Sequence, residues 1–331
     1  MFSAPITGRR LTRVASGPLF VVLAALAAAI LCPESHAQSP TQNAAVQQAR
    51  MFMDRPDAVG ARTERLAPPA DNLTGEESAA DADLGEQWLL KPNLPVNPFT
   101  ARASLSLFYT DNVALARRGR LEDGFAVAEI GLGYSRPLAT DWTLAIDLQQ
   151  ALFRYYEFRE FDFESLNASA AISYQARQLG NTIFSLVYGL NRLTGGAVDE
   201  QLYLGNTFAL VALKVIPVTS AAAVEMTAGI GYTFADPEDL ERTEFRFGLG
   251  YRLRVARKFT ATAALRIEVY DYSNEVRTDL LQTIALGARY DVNEWFYLSA
   301  SVSAASNFST QEVFSYTAIN AGVTLAAHIE F

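Results

Sequence analysis

The chain has 331 residues, 50% of them hydrophobic, and its 27 basic and 36 acidic side chains leave a formal net charge of −9. That balance, with a pI near 4.9, excludes the concentrated basic surface with which a protein meets nucleic-acid phosphates. A single cysteine excludes an internal disulfide framework.

Residues 1–37 read as a signal peptide. Arg9, Arg10 and Arg13 precede an apolar run from Pro18 to Leu31. The run is shorter than the roughly 20 residues of a membrane-spanning helix and suits a secretory core of about 7 to 15. Ser35 and Ala37 put small residues where a signal peptidase cuts, so the mature chain is expected to start at Gln38. Two alternatives are weaker. Arg9 and Arg10 could address an export route for folded cargo, which does not suit a chain that must cross the inner membrane unfolded. Cys32 could be lipidated, but Leu31 stands where a small residue is needed.

From Gln38 to about Gly85 the chain is rich in Ala, Gln, Asp, Glu, Pro and Ser, and too poor in large apolar groups to offset the entropy of ordering it. Residues 38–98 are expected to form a disordered leader, with at most a short helix near Gln42–Asp54. Its end, Trp88 through Pro98, is more apolar and is expected to dock on the rim of the domain that follows.

From Phe99 to Phe331 the hydrophobic period is 2, which sends alternate side chains to opposite faces of a strand. In the segment 243–255, Phe245, Phe247, Leu249, Tyr251, Leu253 and Val255 share one face, while Glu244, Arg246, Gly248, Gly250, Arg252 and Arg254 share the other. One face suits hydrocarbon and the other suits water, as in an all-β, transmembrane antiparallel up-and-down barrel. Twelve such segments are read at 101–110, 125–135, 142–156, 165–177, 182–193, 201–214, 221–234, 243–255, 259–271, 278–290, 295–306 and 314–331. An even count puts both termini on one side, expected to be the periplasmic one. The short connections fall on that side and the longer ones opposite. Alternation is poorest at 182–193 and 201–214. Aromatic residues fall on the apolar face near the short-turn end, among them Tyr134, Trp142, Tyr174, Phe184, Tyr251, Tyr290 and Phe296, as an interfacial girdle would.

The last segment alternates Val323, Leu325, Ala327, Ile329 and Phe331 with Gly322, Thr324, Ala326, His328 and Glu330, and it stops on phenylalanine. It resembles the terminal assembly signal of bacterial outer-membrane β-barrel proteins, and the resemblance, to porin-like barrels, spans about 99–331. It implies a Gram-negative outer membrane, insertion by the barrel-assembly machinery, and surrounding lipid and lipopolysaccharide. It also makes the leader periplasmic and able to recruit a partner there.

On the expected lumen face stand basic Arg102, Arg177, Arg246, Arg252, Arg254, Arg266 and Arg289, and acidic Glu129, Asp147, Glu225, Glu244, Glu268, Asp279 and Glu330. The turn at 256–258 sets Arg246 opposite Glu268, so a cross-strand ion pair is expected at mid-height. Arg252, Arg254 and Arg289 suggest a basic arc at the periplasmic mouth. Two readings follow. The charges line a water path for small hydrophilic solutes through a lumen wider than that of an eight-stranded barrel, or they pair and plug it, leaving a closed scaffold or adhesion barrel. The barrel phospholipases and omptin proteases need a histidine near the outer side; here only His328 lies in the barrel, near the opposite end, so no enzyme is expected, although a carboxylate pair drawn from Glu129, Asp147 and Glu225 could still do acid and base work. No cofactor or metal site is expected. Arg117, Arg118 and Arg120 could meet lipopolysaccharide phosphates, and Asp236, Glu238, Asp239 and Glu241 a divalent cation, although plain solvated loops explain both groups. Only 111–124 is long enough to fold into the lumen.

Overall fold

In the computed structural model the described residues are 97–195 and 200–331; the expectations for the signal peptide and most of the leader lie outside them. The alternating segments form twelve strands: β1 Phe99–Thr110, β2 Asp123–Ala139, β3 Trp142–Tyr155, β4 Phe163–Ala176, β5 Thr182–Thr194, β6 Gln201–Thr219, β7 Ala222–Asp236, β8 Arg242–Ala256, β9 Phe259–Tyr272, β10 Thr278–Asp291, β11 Phe296–Ser309 and β12 Tyr316–Glu330. Each pairs antiparallel with its neighbours in the chain, and β12 pairs with β1 to close the barrel. Closure leaves no sheet edge with unpaired backbone groups, the condition for a sheet to cross a bilayer.

The seam sits where the alternation ends. Leu105 pairs with Leu325 and Leu107 with Val323. Phe99 and Phe331 exchange backbone hydrogen bonds of 3.1 and 3.0 Å, and their rings stack at 5.8 Å. The end of the barrel that carries both termini and the tight turns is called the terminal end below, and the other the loop end.

Alternation along β1 measures the two faces. Leu105 and Leu107 are 55% and 59% exposed, whereas Ser106 and Phe108 between and beside them are 0% and 5%. Outward leucines and isoleucines at such exposure would be costly in water and are at home in hydrocarbon. At the terminal end the outward rings touch across strands: Trp142 meets Tyr174 at 5.0 Å and Phe99 meets Tyr134 at 5.1 Å.

β2 and β6 run on beyond the expected 135 and 214, to Ala139 and Thr219. Pro137 and Pro217 lie within these extensions. Proline lacks the N–H that a ladder uses, and the structure accommodates each at a register shift, between Pro137 and Ala139 and between Pro217 and Thr219, where a missing donor costs little. The weak alternation of β5 and β6 has a different cause. Phe184, Leu186, Phe208 and Leu210 face outward and exposed, while Ile183 and Ala209 are buried on the inward face, which Val187, Val211 and Leu213 share by parity. Both faces of this stretch of wall are apolar.

Candidate functional site

The lumen divides into two halves. At the loop end many of the inward side chains are rings and aliphatic groups. Phe108 of β1, Phe125 and Val127 of β2, Phe153 and Tyr155 of β3, Phe163 of β4, Leu193 of β5 and Tyr203 of β6 form one buried cluster. Phe108 stacks on Phe125 at 5.3 Å, Phe125 meets Tyr155 at 5.1 Å, and Phe153 stacks on Phe163 at 4.2 Å. These cross-strand pairs combine burial with favourable ring geometry. A second cluster on the facing wall joins Tyr270, Leu281, Ala305, Tyr316 and Ala318. Among the described residues these two clusters fill much of the loop-end half, with buried polar side chains such as Ser106, Ser165, Thr233 and Asn320 beside them.

Loop 111–122 spans the two clusters. Val113 is buried in the first and Leu115 in the second, so the loop folds inward as its length allowed. The fully buried Asn112 holds it: its Nδ2 donates to Ala116 O and Thr317 O, each at 2.8 Å, and its Oδ1 accepts the Ala116 N–H at 2.9 Å. Leu115 is driven into the left-handed region at φ 49°, a conformation that a leucine adopts only under constraint. On the rim Arg120 pairs with Asp111 at 3.3 Å and Arg117 with Glu312. Two of the three arginines read as lipopolysaccharide contacts therefore pin this loop.

Between the apolar clusters runs a row of charges. Arg242 and Glu244, 6% and 1% exposed, pair at 2.9 Å. Glu244 also bonds Arg246 and accepts the Thr233 hydroxyl at 3.0 Å. Arg246 reaches Glu268 at 3.5 Å, across the register pair expected from the turn. Arg277 pairs with Asp279 and lies between the rings of Tyr272 and Phe314, at 4.3 and 3.5 Å. Buried charges persist only when paired, and stacking on ring faces adds to the pairing.

Below the plug the lumen is polar. Arg102 on β1 reaches over β2 to Asp147 on β3 at 2.7 Å. It can do so because β2 presents Gly131 there; a Cβ at 131 would lie 3.0 Å from the guanidinium. Glu225 pairs with Arg252 at 3.1 Å. Arg289 pairs with Asp291 at 2.7 Å and lies 4.0 Å over the Tyr297 ring. In the expected basic arc Arg252 and Arg289 thus carry carboxylates, and Arg254 is exposed beside the terminal-end turn. Glu129 is buried on β2, Arg266 stands between Gly248 and Thr283 in register, and His328 and Glu330 stand opposite Arg102 and Thr100. Arg177 lies one residue beyond β4, in a 3₁₀ turn, where it pairs with Asp141 at 2.6 Å; it is placed at the terminal-end rim rather than in the lumen. Although Arg246 faces inward, its side chain is 43% exposed, so water reaches the lumen up to the plug.

Loop 156–162 braces the plug from outside. Asp123 accepts the Glu157 and Phe158 N–H groups, and Asp162 accepts the Tyr155 N–H at 2.7 Å. This sets Phe158 and Phe161 against the aromatic cluster. Burial pushes the Asp162 carboxyl above the ordinary aspartate range and Asp123 adds to the shift, against the Tyr155 hydrogen bond and the charges of Arg154 and Arg159.

Phe108, Phe125 and Phe153 lie on lumen parity within segments readable from the sequence, whereas Phe163 precedes the expected segment 165–177 and enters the ladder because β4 starts there. Nothing in the sequence marks Asn112.

No protein-family model matches the chain, and no curated protein matches it. Solved structures do. An outer-membrane channel from Pseudomonas putida F1 superposes with a TM-score of 0.52 at 11% identity, covering 71% of this chain and 97% of that one. The β domain of a Bordetella autotransporter gives 0.44 at 14%, covering 69% and 98%. A bacterial polysaccharide outer-membrane secretin gives 0.44 at 11%, covering 71% and 99%. At 11% identity the likeness to the channel speaks to fold alone, and the fold is that of an outer-membrane β-barrel.

Proposed function

We propose that this barrel is a porin-like channel for small water-soluble solutes in the outer membrane of a Gram-negative bacterium, shut at its outer mouth in the conformation described. The terminal end then faces the periplasm and the loop end the exterior. The observation that carries the reading is the division of the lumen, with half-buried ion pairs towards the terminal end and, towards the loop end, ring clusters with a row of buried ion pairs between them, completed by a loop. A plug built from the wall alone would be permanent. One completed by Val113 and Leu115 of loop 111–122 opens when a single segment withdraws.

Location is supported by the apolar outward band, the ring girdle and the terminal alternation from Val323 to Phe331. The same alternation implies the barrel-assembly machinery as partner, with lipid and lipopolysaccharide as surroundings. The reading is of a conduit and not of a catalyst. His328, the one histidine among the described residues, stands at the terminal end, away from the carboxylates of the plug.

Reconstitution in planar bilayers tests the channel. The wild-type barrel is expected to give infrequent stepwise openings, and Asn112→Ala more frequent ones. Absence of current in both would overturn it in favour of a closed scaffold or adhesion barrel, the reading that the filled loop end favours. That second reading expects a periplasmic partner which is lost when residues 38–98 are deleted.

A further inference from the structure

The tight turn between β8 and β9 concentrates positive charge at the terminal end, with Arg252, Arg254, Arg257 and Lys258 inside seven residues. Arg252 is matched by Glu225 at 3.1 Å. Lys258 gives its ammonium to the Val292 carbonyl at 2.9 Å, an uncharged acceptor. Among the described residues no carboxylate pairs with Arg257 or Lys258, and both side chains are exposed. Arg252 and Arg254 stand opposite Thr262 and Thr260 on the inward face, so the cluster borders the mouth of the lumen. The connection from β7 to β8, at the loop end, has the opposite sign, with Asp236, Glu238, Asp239 and Glu241.

The chain enters the barrel at the basic end. Pro98 O accepts the Ser135 N–H at 2.8 Å, and Asn97 Nδ2 reaches Glu330 O at 3.5 Å, so the sequence before Asn97 starts from the terminal rim. In it, residues 71–86 contain Asp71, Glu76, Glu77, Asp81, Asp83 and Glu86 and no lysine or arginine. Thirteen residues lead from Glu86 to Phe99, a reach of roughly 43 Å when extended. A twelve-stranded barrel with strands spaced about 4.8 Å and tilted about 40° is roughly 24 Å across. The β8–β9 turn, four strands round the closed order from β1, is therefore within reach. A covalent tether of this length holds the segment at an effective concentration on the order of millimolar, and opposite charge steers it to the basic end and away from the acidic one.

We propose that the acidic segment 71–86 docks on the β8–β9 turn, laying the chain across the terminal mouth of the lumen. Docking needs only the rim and the segment, so it stands whether or not the barrel conducts.

Carbodiimide coupling tests it, because the reagent joins a carboxylate to an amine only where the two touch, and the chain has lysines only at Lys91, Lys214 and Lys258. Residues 38–331 are placed in phosphatidylcholine nanodiscs holding one barrel each. Mass spectrometry is expected to find Lys258 joined to carboxylates of 71–86. Lys214, which stands beside outward Met226 on the lipid side, is expected to be joined to none of them. The Lys258 yield should fall about fivefold in 1 M salt, where the screening length is about 3 Å, and about fivefold with Arg257→Gln, an exposed change that leaves Lys258 in place to report. Lys258 coupled only to Glu294 of the neighbouring turn would overturn the dock, as would coupling to 71–86 that is indifferent to salt and to Arg257→Gln. Coupling that persists when phosphatidylglycerol replaces phosphatidylcholine supports it; coupling that disappears there gives the turn to lipid headgroups and overturns it.

Discussion

Phe108 of β1 lies against Gly322 of β12, its register partner across the barrel seam, so closely that a Cβ at 322 would overlap the ring. The glycine is the slot in which the seam side of the plug rests. Gly322→Val is expected to drive the ring out of the cluster and to raise open probability in bilayers. Overpacking should lower stability by about 1–3 kcal/mol, read from the urea midpoint of unfolding in lipid vesicles. Phe108→Ala should open the barrel as well, and in its background Gly322→Val should lose most of its cost.

Asn112 makes three hydrogen bonds from a fully buried site. Asn112→Ala leaves the Thr317 and Ala116 carbonyls and the Ala116 N–H without that partner, at a cost of about 1–3 kcal/mol per group left buried. Loop 111–122 is expected to release water-protected amides in hydrogen exchange, while protection of the β1 backbone stays close to wild type.

Arg102 and Asp147 are joined over the gap left by Gly131. A double-mutant cycle with Arg102→Gln and Asp147→Asn is expected to give a coupling of about 1 kcal/mol, since both groups keep contact with lumen water. Asp147→Asn alone should move the reversal potential toward anion selectivity, and Arg102→Gln toward cations. Gly131→Leu should mimic loss of the pair by blocking its path.

Asp162 carries the pH dependence. Burial raises its folded pKa above the unfolded value, so its contribution to stability is fully present below the unfolded pKa and is lost as pH rises through the folded one. Loop 156–162 should therefore be held more firmly at mildly acidic pH than at neutrality. Carboxyl chemical shifts should show Asp162 titrating above the ordinary aspartate range. Asp162→Asn keeps an acceptor for the Tyr155 N–H and should abolish the dependence.

Strand number and pairing were legible because lipid imposes a period of 2, and a slip by one residue would turn every leucine inward. The Arg246–Glu268 pair followed from one tight turn. Strand ends were less legible: Pro137 and Pro217 look like terminators, and only the bulges show how the ladder passes them. Arg177 sits on lumen parity, but β4 stops at Ala176, and parity has no meaning past a strand end. The plug needed closure to become visible. Phe108, Phe125 and Phe153 have the right parity, yet a list of inward rings does not say that they meet at one height, which depends on the register of every strand between them.

Cysteine accessibility along β1 tests the two-faced, half-filled barrel most directly, because the one native cysteine, Cys32, lies in the expected signal peptide. In lipid vesicles Ser104→Cys should react with a membrane-impermeant thiol reagent given access to the terminal end. Leu105→Cys and Leu107→Cys should respond only to a lipid-soluble reagent, and Phe108→Cys to neither. Reaction of Phe108→Cys as fast as Ser104→Cys would contradict a dry loop-end plug, and reaction of all four positions with the impermeant reagent would contradict the barrel in its membrane.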